Sequence, residues 1–273
     1  MFQKVSPRSN LQSALAILEL IYHSTVRSVR KSHGNAFFAI LNNMLQAIIF
    51  VMAFYLMFWM LGIKGARIRG DFLLYMMSGV FLFLTHVKAL GAVAGAEGPS
   101  SPMMQHAPMN TLVAILSSAF SSLYVKTVSL LVILFVLHTV VEPLEIHDWA
   151  GALMMYLLAW GLGVAIGLIL LAAKPWAPDV VNIVQMVYVR ANMIASGKMF
   201  VANMLPGFMI AMFDWNPLFH IIDQTRGFTF VNYFPHFTNW QYPLYATLAL
   251  LLVGMMGEFY TRKRASASWD ARR

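Results

Sequence analysis

Six stretches of this chain, at 36–61, 72–95, 111–141, 149–173, 180–205 and 243–260, carry few or no charges and are each about as long as a helix that crosses a bilayer. A soluble core of similar hydrophobicity would be cut into shorter periodic segments. Apolar residues make up 59% of the chain and charged residues 11%, against roughly 45–50% and about 25% in soluble domains. Lipid is therefore the main solvent. The expected fold is all-α, a polytopic membrane protein with about six transmembrane helices. The chain has no cysteine, which excludes disulfides and thiolate metal sites. The formal charge of +8 is crowded towards the two ends of the chain, a distribution that reads as membrane topology and not as a nucleic-acid surface.

The polar, basic leader over 1–35 precedes the first apolar run, which argues against a cleavable signal peptide. Inside it, Leu11, Leu15, Leu18, Tyr22, Val26 and Val29 recur at helical spacing, with Arg27, Arg30 and Lys31 at the end. That pattern predicts an amphipathic helix lying at the membrane surface, its last-turn cations favoured by the helix dipole and by anionic lipid. The leader and the tail over 261–273 are both basic, while Glu142, Glu145 and Asp148 follow the third stretch without any cation. Both termini are thus expected on the cytoplasmic side of a bacterial inner membrane, with the six-helix domain over 36–260. Lys64, Arg67 and Arg69 in the first loop run against that orientation.

The fifth stretch holds Arg190, Asn192 and Lys198, which must face protein or water to be tolerated in hydrocarbon. Beyond it, Pro206, Gly207, Pro217, Gly227 and Pro235 divide the chain into apolar pieces too short to span. A pair of short re-entrant or interfacial helices over 206–240 is expected, with an extended external loop as the alternative.

No energy-converting chemistry is visible. The nearest approach to a phosphate-binding loop is Gly197-Lys198-Met199, which has Asn192 in place of the upstream glycine and lacks the following Ser or Thr. HExxH and GxSxG are absent, and the eight histidines are scattered without metal-ligand spacing. The intramembrane charges form no ladder of acids for proton coupling. The expectation is a chain that is not an enzyme and holds neither cofactor nor metal.

One motif is specific. The run Trp215-Asn216-Pro217-Leu218-Phe219-His220-Ile221-Ile222-Asp223-Gln224-Thr225-Arg226 resembles the WNPL-x-H-hydrophobic-hydrophobic-E-x-x-R signature of type-2 ABC exporter permeases, particularly those exporting capsular polysaccharide and O-antigen. Asp223 stands where that family usually has Glu. The basic helix before the first span and the segment 196–206 are also similar to the family. The resemblance implies a homodimer that docks two ATP-binding subunits, which hold ATP and magnesium, and that exports a polysaccharide through membrane lipid. It implies a coupling segment over 98–110, with Pro99, Met103, Met104, Gln105, His106 and Pro108 as docking residues. Read without it, Gly98-Pro99-Ser100-Ser101-Pro102 is a turn-rich loop. The alternatives are a permease for a small lipophilic drug or lipid, and a membrane scaffold or channel without ATPase coupling.

The physics of the motif can be stated separately. Asn216 can cap a helix whose first turn holds Pro217, which puts His220, Asp223 and Arg226 on one face, with Asp223 and Arg226 able to pair. Such a trio would fix the re-entrant segment and position a gate. A sugar path calls for aromatic rings, for which Tyr55, Trp59, Tyr75, Tyr156, Trp160 and Tyr188 are candidates, although Trp and Tyr also serve as interface anchors. Arg190 is the sharpest path candidate, an intramembrane cation that would suit an acidic polymer.

Overall fold

The structure, a computed structural model, describes residues 10–31, 36–60, 72–98, 111–140 and 143–264. Among them every regular element is helical. In chain order these are α1 (Asn10–Lys31), α2 (Ala36–Met60), α3 (Phe72–Ala94), α4 (Thr111–Val140), α5 (Trp149–Ala173), α6 (Pro178–Ala195), α7 (Gly207–Phe213), α8 (Pro217–Thr229) and α9 (Gln241–Arg264), with a single 3₁₀ turn at Ala202–Met204 before α7. Four of them, α3, α4, α5 and α9, are long and apolar enough to cross a membrane. Helix α2 has 25 residues without a charge.

Helix α3 forms the centre, buried along most of its length. It packs against α4, α5 and α8, and α5 in turn carries α9. Small residues set the α3–α5 seam. Gly163 and Gly167 lie four apart on α5, and a Cβ at Gly167 would come within 2.7 Å of the Leu90 carbonyl oxygen. The two backbones therefore approach as closely as small-xxx-small pairs allow in membranes, where dispersion takes over from the hydrophobic effect between helices. Met77, Phe81, Leu84, Ala159, Leu162 and Ile221 fill the core on either side of this seam. Helix α5 begins at a definite cap: Asp148 accepts from the amides of Ala150 and Gly151. The last turn of α9 ends in Arg262, Lys263 and Arg264, the first two with their charges near the Phe259 ring and the third over Tyr260.

Two expectations need correction. The leader helix is present, but its apolar positions divide: Val29 turns inwards with Ile21, while Leu15, Leu18 and Tyr22 are exposed. The helix leans on α4, so the inward face is the one spaced by four through Ile21, Thr25 and Val29, with the Thr25 hydroxyl bonded back to the Ile21 carbonyl. The fifth stretch does not run to Leu205 either. Helix α6 stops at Ala195 after 18 residues, about 27 Å of helix at the usual rise and just short of a hydrocarbon core of about 30 Å. Gly197, at φ +73°, turns the backbone out of the helix, and the chain continues as an irregular segment up to α7.

Candidate functional site

The motif seen in the sequence builds α8, and each of its polar side chains has a definite task. The Asn216 Oδ1 accepts from the Leu218 amide at 3.1 Å, capping the helix, and Pro217 occupies the first turn, where no amide is needed. The other end of the same side chain donates to the Asn192 Oδ1 at 2.9 Å and to the Ala195 carbonyl at 3.0 Å. One buried asparagine thus starts α8 and ties it to the last turn of α6.

His220 bridges to the segments on either side. Its Nε2 lies 2.6 Å from the Asp214 carbonyl, which can only accept, so Nε2 carries the proton. Its Nδ1 is then free to accept from the Asn239 amide at 3.1 Å. The imidazole works as a neutral, two-ended bracket. Asp223 is 1% exposed. It accepts from the Tyr233 hydroxyl at 2.5 Å, the Thr238 hydroxyl at 2.8 Å and the Ala202 amide at 3.4 Å. Burial first, and then the Asp223 charge, push the Tyr233 hydroxyl well above its usual pKa, which keeps it a donor.

Arg226, also 1% exposed, donates from Nη1 to the carbonyls of Gly197 at 2.9 Å and Phe200 at 2.6 Å, and from Nη2 to that of Lys198 at 2.8 Å. Its guanidinium lies 4.4 Å from the centre of the Tyr75 ring. The expected Asp223–Arg226 pair is therefore not made: no ion pair joins the two within 4 Å. Each has other partners: Asp223 takes two hydroxyls from the segment after α8 and the Ala202 amide, and Arg226 donates to the carbonyls of the break after α6. The break can satisfy a cation because the positive φ of Gly197 lets successive carbonyls converge on one guanidinium fork.

The broken segment lies directly against α3. Lys198 is fully buried, its Nζ 3.7 Å from the centre of the Phe83 ring. A Cβ at Gly79 would meet the Lys198 carbonyl oxygen at 2.6 Å, so only glycine leaves room for the segment there. At the far end of α8, the amides of His147 and Asp148 donate to the carbonyls of Thr229 and Phe228 at 3.1 and 2.8 Å. Helix α8 is thereby joined to the end of α6 at its start and to the beginning of α5 at its finish. Replacing Gly197 with alanine should cost about 2 kcal/mol, combining left-handed strain with a Cβ placed 2.6 Å from the Phe219 ring; thermal unfolding in detergent measures it.

The path candidates are dispersed. Tyr75 is buried beneath Arg226, and Tyr156 is buried with its hydroxyl 3.1 Å from Thr127. Trp160 donates to the Ala119 carbonyl at 3.1 Å and packs beside Phe120. Tyr188 lies 2.9 Å from the His86 Nε2, and the other ring nitrogen of His86 faces the Ala159 carbonyl at 3.2 Å. Since that carbonyl only accepts, Nδ1 holds the proton and Tyr188 is the donor. Arg190 is exposed on α6. Among the described residues these side chains take separate partners. The side chains of Tyr55 and Trp59, and the docking candidates Pro99, Met103, Met104, Gln105, His106 and Pro108, lie outside the described residues.

Sequence reasoning missed several groups that matter here: the Tyr233 and Thr238 hydroxyls on Asp223, the close approach at Gly79, and the buried His86 and Lys126. Only the last two carried a signal, as lone ionisable residues inside apolar runs. Among the described residues no three His, Cys, Asp or Glu side chains gather as a metal site. What the arrangement does chemically is hold a short capped helix inside an apolar bundle, Arg226 bonded through both Nη atoms while its buried Nε has no hydrogen-bond partner. Comparison with family models and with curated proteins finds no match for this chain.

Proposed function

We propose that this chain is the membrane-spanning subunit of an ATP-driven exporter, moving a cell-surface polysaccharide such as a capsular polymer across a bacterial inner membrane with a separate ATP-binding subunit. The observation that carries the reading is α8. The residues that resemble the permease signature, Asn216, Pro217, His220, Asp223 and Arg226, are the cap, first turn, bracket and anchors that keep this helix buried between α3 and α5. A motif whose polar members are all spent on positioning one helix suits a gate element better than a substrate contact.

In this reading the bundle crosses the membrane six times. Helices α2, α3, α4, α5 and α9 make five crossings. The other is broken, α6 rising part of the way and α8 completing it beyond the Gly197 turn, with α7 as the short re-entrant piece. Irregular backbone at membrane depth requires that protein satisfy its carbonyls, and Arg226 does so for three of them. Both termini lie in the cytoplasm, two copies pair, and the segment 98–110 meets the ATPase.

Placing glutamates at Met103 and Met104 should abolish co-purification of the ATP-binding subunit and reduce its membrane-stimulated ATPase to background. Unchanged pull-down would remove the docking assignment and the exporter reading with it. Deleting the gene should strip the cell of its surface polymer, and the wild-type chain should restore it.

One observation favours the second reading, export of a small lipophilic molecule or lipid. A cavity of about 310 Å³ lies between α3, α4, α5 and α8, lined largely by Leu, Met and Phe side chains. Its hydroxyls at Ser78, Thr225 and Thr229 are bonded back to their own helices. Drug sensitivity or altered lipid composition in the deletion strain, with surface polymer intact, would select it.

A further inference from the structure

The segment 230–239 carries the Tyr233 and Thr238 hydroxyls to Asp223. Two imidazoles also hold it, and each does so in one protonation state only. His220, 5% exposed, accepts the Asn239 amide on Nδ1 while its Nε2 proton is committed to the Asp214 carbonyl. At the other clasp, the His236 Nδ1 lies 2.9 Å from the Asn203 Nδ2. The orientation of that asparagine is fixed from both sides. Its Nδ2 is 2.7 Å from the Phe234 carbonyl, which only accepts, and its Oδ1 is 3.1 Å from the His236 amide, which only donates. The second hydrogen of Nδ2 is thus left for His236, whose Nδ1 must be the acceptor.

We infer that His220 and His236 form an acid-sensitive clasp, closing the segment 230–239 onto α8 and the Asn203 turn while both rings are neutral and loosening it when either gains a proton. A proton on Nδ1 of either ring sets two N–H donors face to face. The Asn203 amide cannot turn over to relieve this without giving up its bonds to Phe234 and to the His236 amide. The closed segment excludes a proton that the open one can take, so closure is favoured as the pH rises and lost as it falls. Histidine side chains change charge between about pH 5 and pH 8.

The other ionisable groups around the clasp are engaged elsewhere and offer it no replacement acceptor. Asp223 of α8 is filled by two hydroxyls and the Ala202 amide, and Arg226 faces the carbonyls of Gly197, Lys198 and Phe200. Tyr242 of α9 stacks beside the His220 ring, 4.9 Å between centres, and donates its hydroxyl to the Trp215 carbonyl. Asp214 meets His220 through its carbonyl, and its side chain is exposed. Lys198 lies over Phe83. Helices α3 and α5 contain no Asp or Glu, and their Tyr75, His86 and Tyr156 face Arg226, Tyr188 and Thr127. His147 and Asp148 border the opposite end of α8. Opening draws the Tyr233 and Thr238 hydroxyls away from Asp223, which passes the change to the helix buried between α3 and α5. The clasp does not depend on what the chain exports, or on whether it exports.

The test uses the full chain in nanodiscs. The sequence has no cysteine, so a nitroxide on F237C, at an exposed side chain between the two clasps, reports this segment alone, and one on L248C, exposed on α9, is the control. From about pH 8 to about pH 5 the mobile fraction of the F237C spectrum is expected to rise about tenfold, the loss of one hydrogen bond with its donor left facing another. It should fall again when the pH is restored, and the L248C spectrum should not change. H220Q/H236N keeps an acceptor at both positions and cannot titrate, so its label should stay immobile throughout. If H220Q does not fold, H236N decides alone: it changes an exposed side chain and should remove about half of the response. A wild-type label equally mobile at both ends of the range, or an acid response that H236N leaves undiminished, would overturn the inference.

Discussion

Arg226→Met should lower stability by about 3–5 kcal/mol, the range for removing one member of a buried charged network. The methionine fills much of the same space, so little of the loss is packing. What is lost is the set of donors to the carbonyls of Gly197, Lys198 and Phe200, which are then left in an apolar interior without water, and the contact with the Tyr75 ring. Arg226→Lys keeps the charge but not the fork. A single ammonium cannot face three carbonyls spread over four residues while stacking on the ring, and less than half the stability should return. Thermal unfolding in detergent gives the magnitudes, and limited proteolysis over 196–206 shows where the structure opens. Both variants within 1 kcal/mol of wild type would mean that the guanidinium does not hold this segment.

Two glycines on α3 should respond in opposite directions to the same small change. Gly79→Ala puts a Cβ at 2.6 Å from the Lys198 carbonyl oxygen, 2.8 Å from its Cα and 2.9 Å from the Arg226 Nη2. Two of these are backbone atoms that cannot swing aside, and the segment must lift from α3 at a cost of about 1–3 kcal/mol. Gly91→Ala meets nothing, and it removes the entropic penalty of glycine in a helix, a gain of about 0.5–1 kcal/mol. The pair shares one helix and one chemical change, so differences in helix propensity cancel in the comparison. Equal thermal midpoints for the two variants would show that α3 and the broken segment do not touch.

The start of α8 was legible from the chain alone because local chemistry fixes it: Asn216 before Pro217 needs only its own neighbours to act. The start of α5 showed as the edge of an apolar run, and its Asp148 cap emerged only in the structure. The interior of the bundle was not. Runs such as α4 and α5 are apolar all round, so periodicity says nothing about which face meets which helix. The end of α6 was misplaced because the residues after Ala195 are as apolar as those before it, and the break is set by one torsion at Gly197 and by an arginine 29 positions further on. The partners of Asp223 and Arg226 were misread for a related reason. Three-residue spacing shows that two side chains can meet, but not that each has a better offer elsewhere, and Tyr233, Thr238 and the 197–200 carbonyls become available only once the chain has folded back.

The amide–carbonyl bonds at one end of α8 and the asparagine bonds at the other make this helix a strut between the end of α6 and the start of α5, two helices that otherwise meet at their opposite ends, where Leu170 and Ala173 pack with Val181. Its joints are hydrogen bonds to backbone or between buried amides, directional links that resist sliding in a way that apolar contact does not. A swing of α6 would therefore be delivered to the first turn of α5 largely undiminished, and the Asp148 end of the bundle would tilt with it as a lever does about a fixed pin.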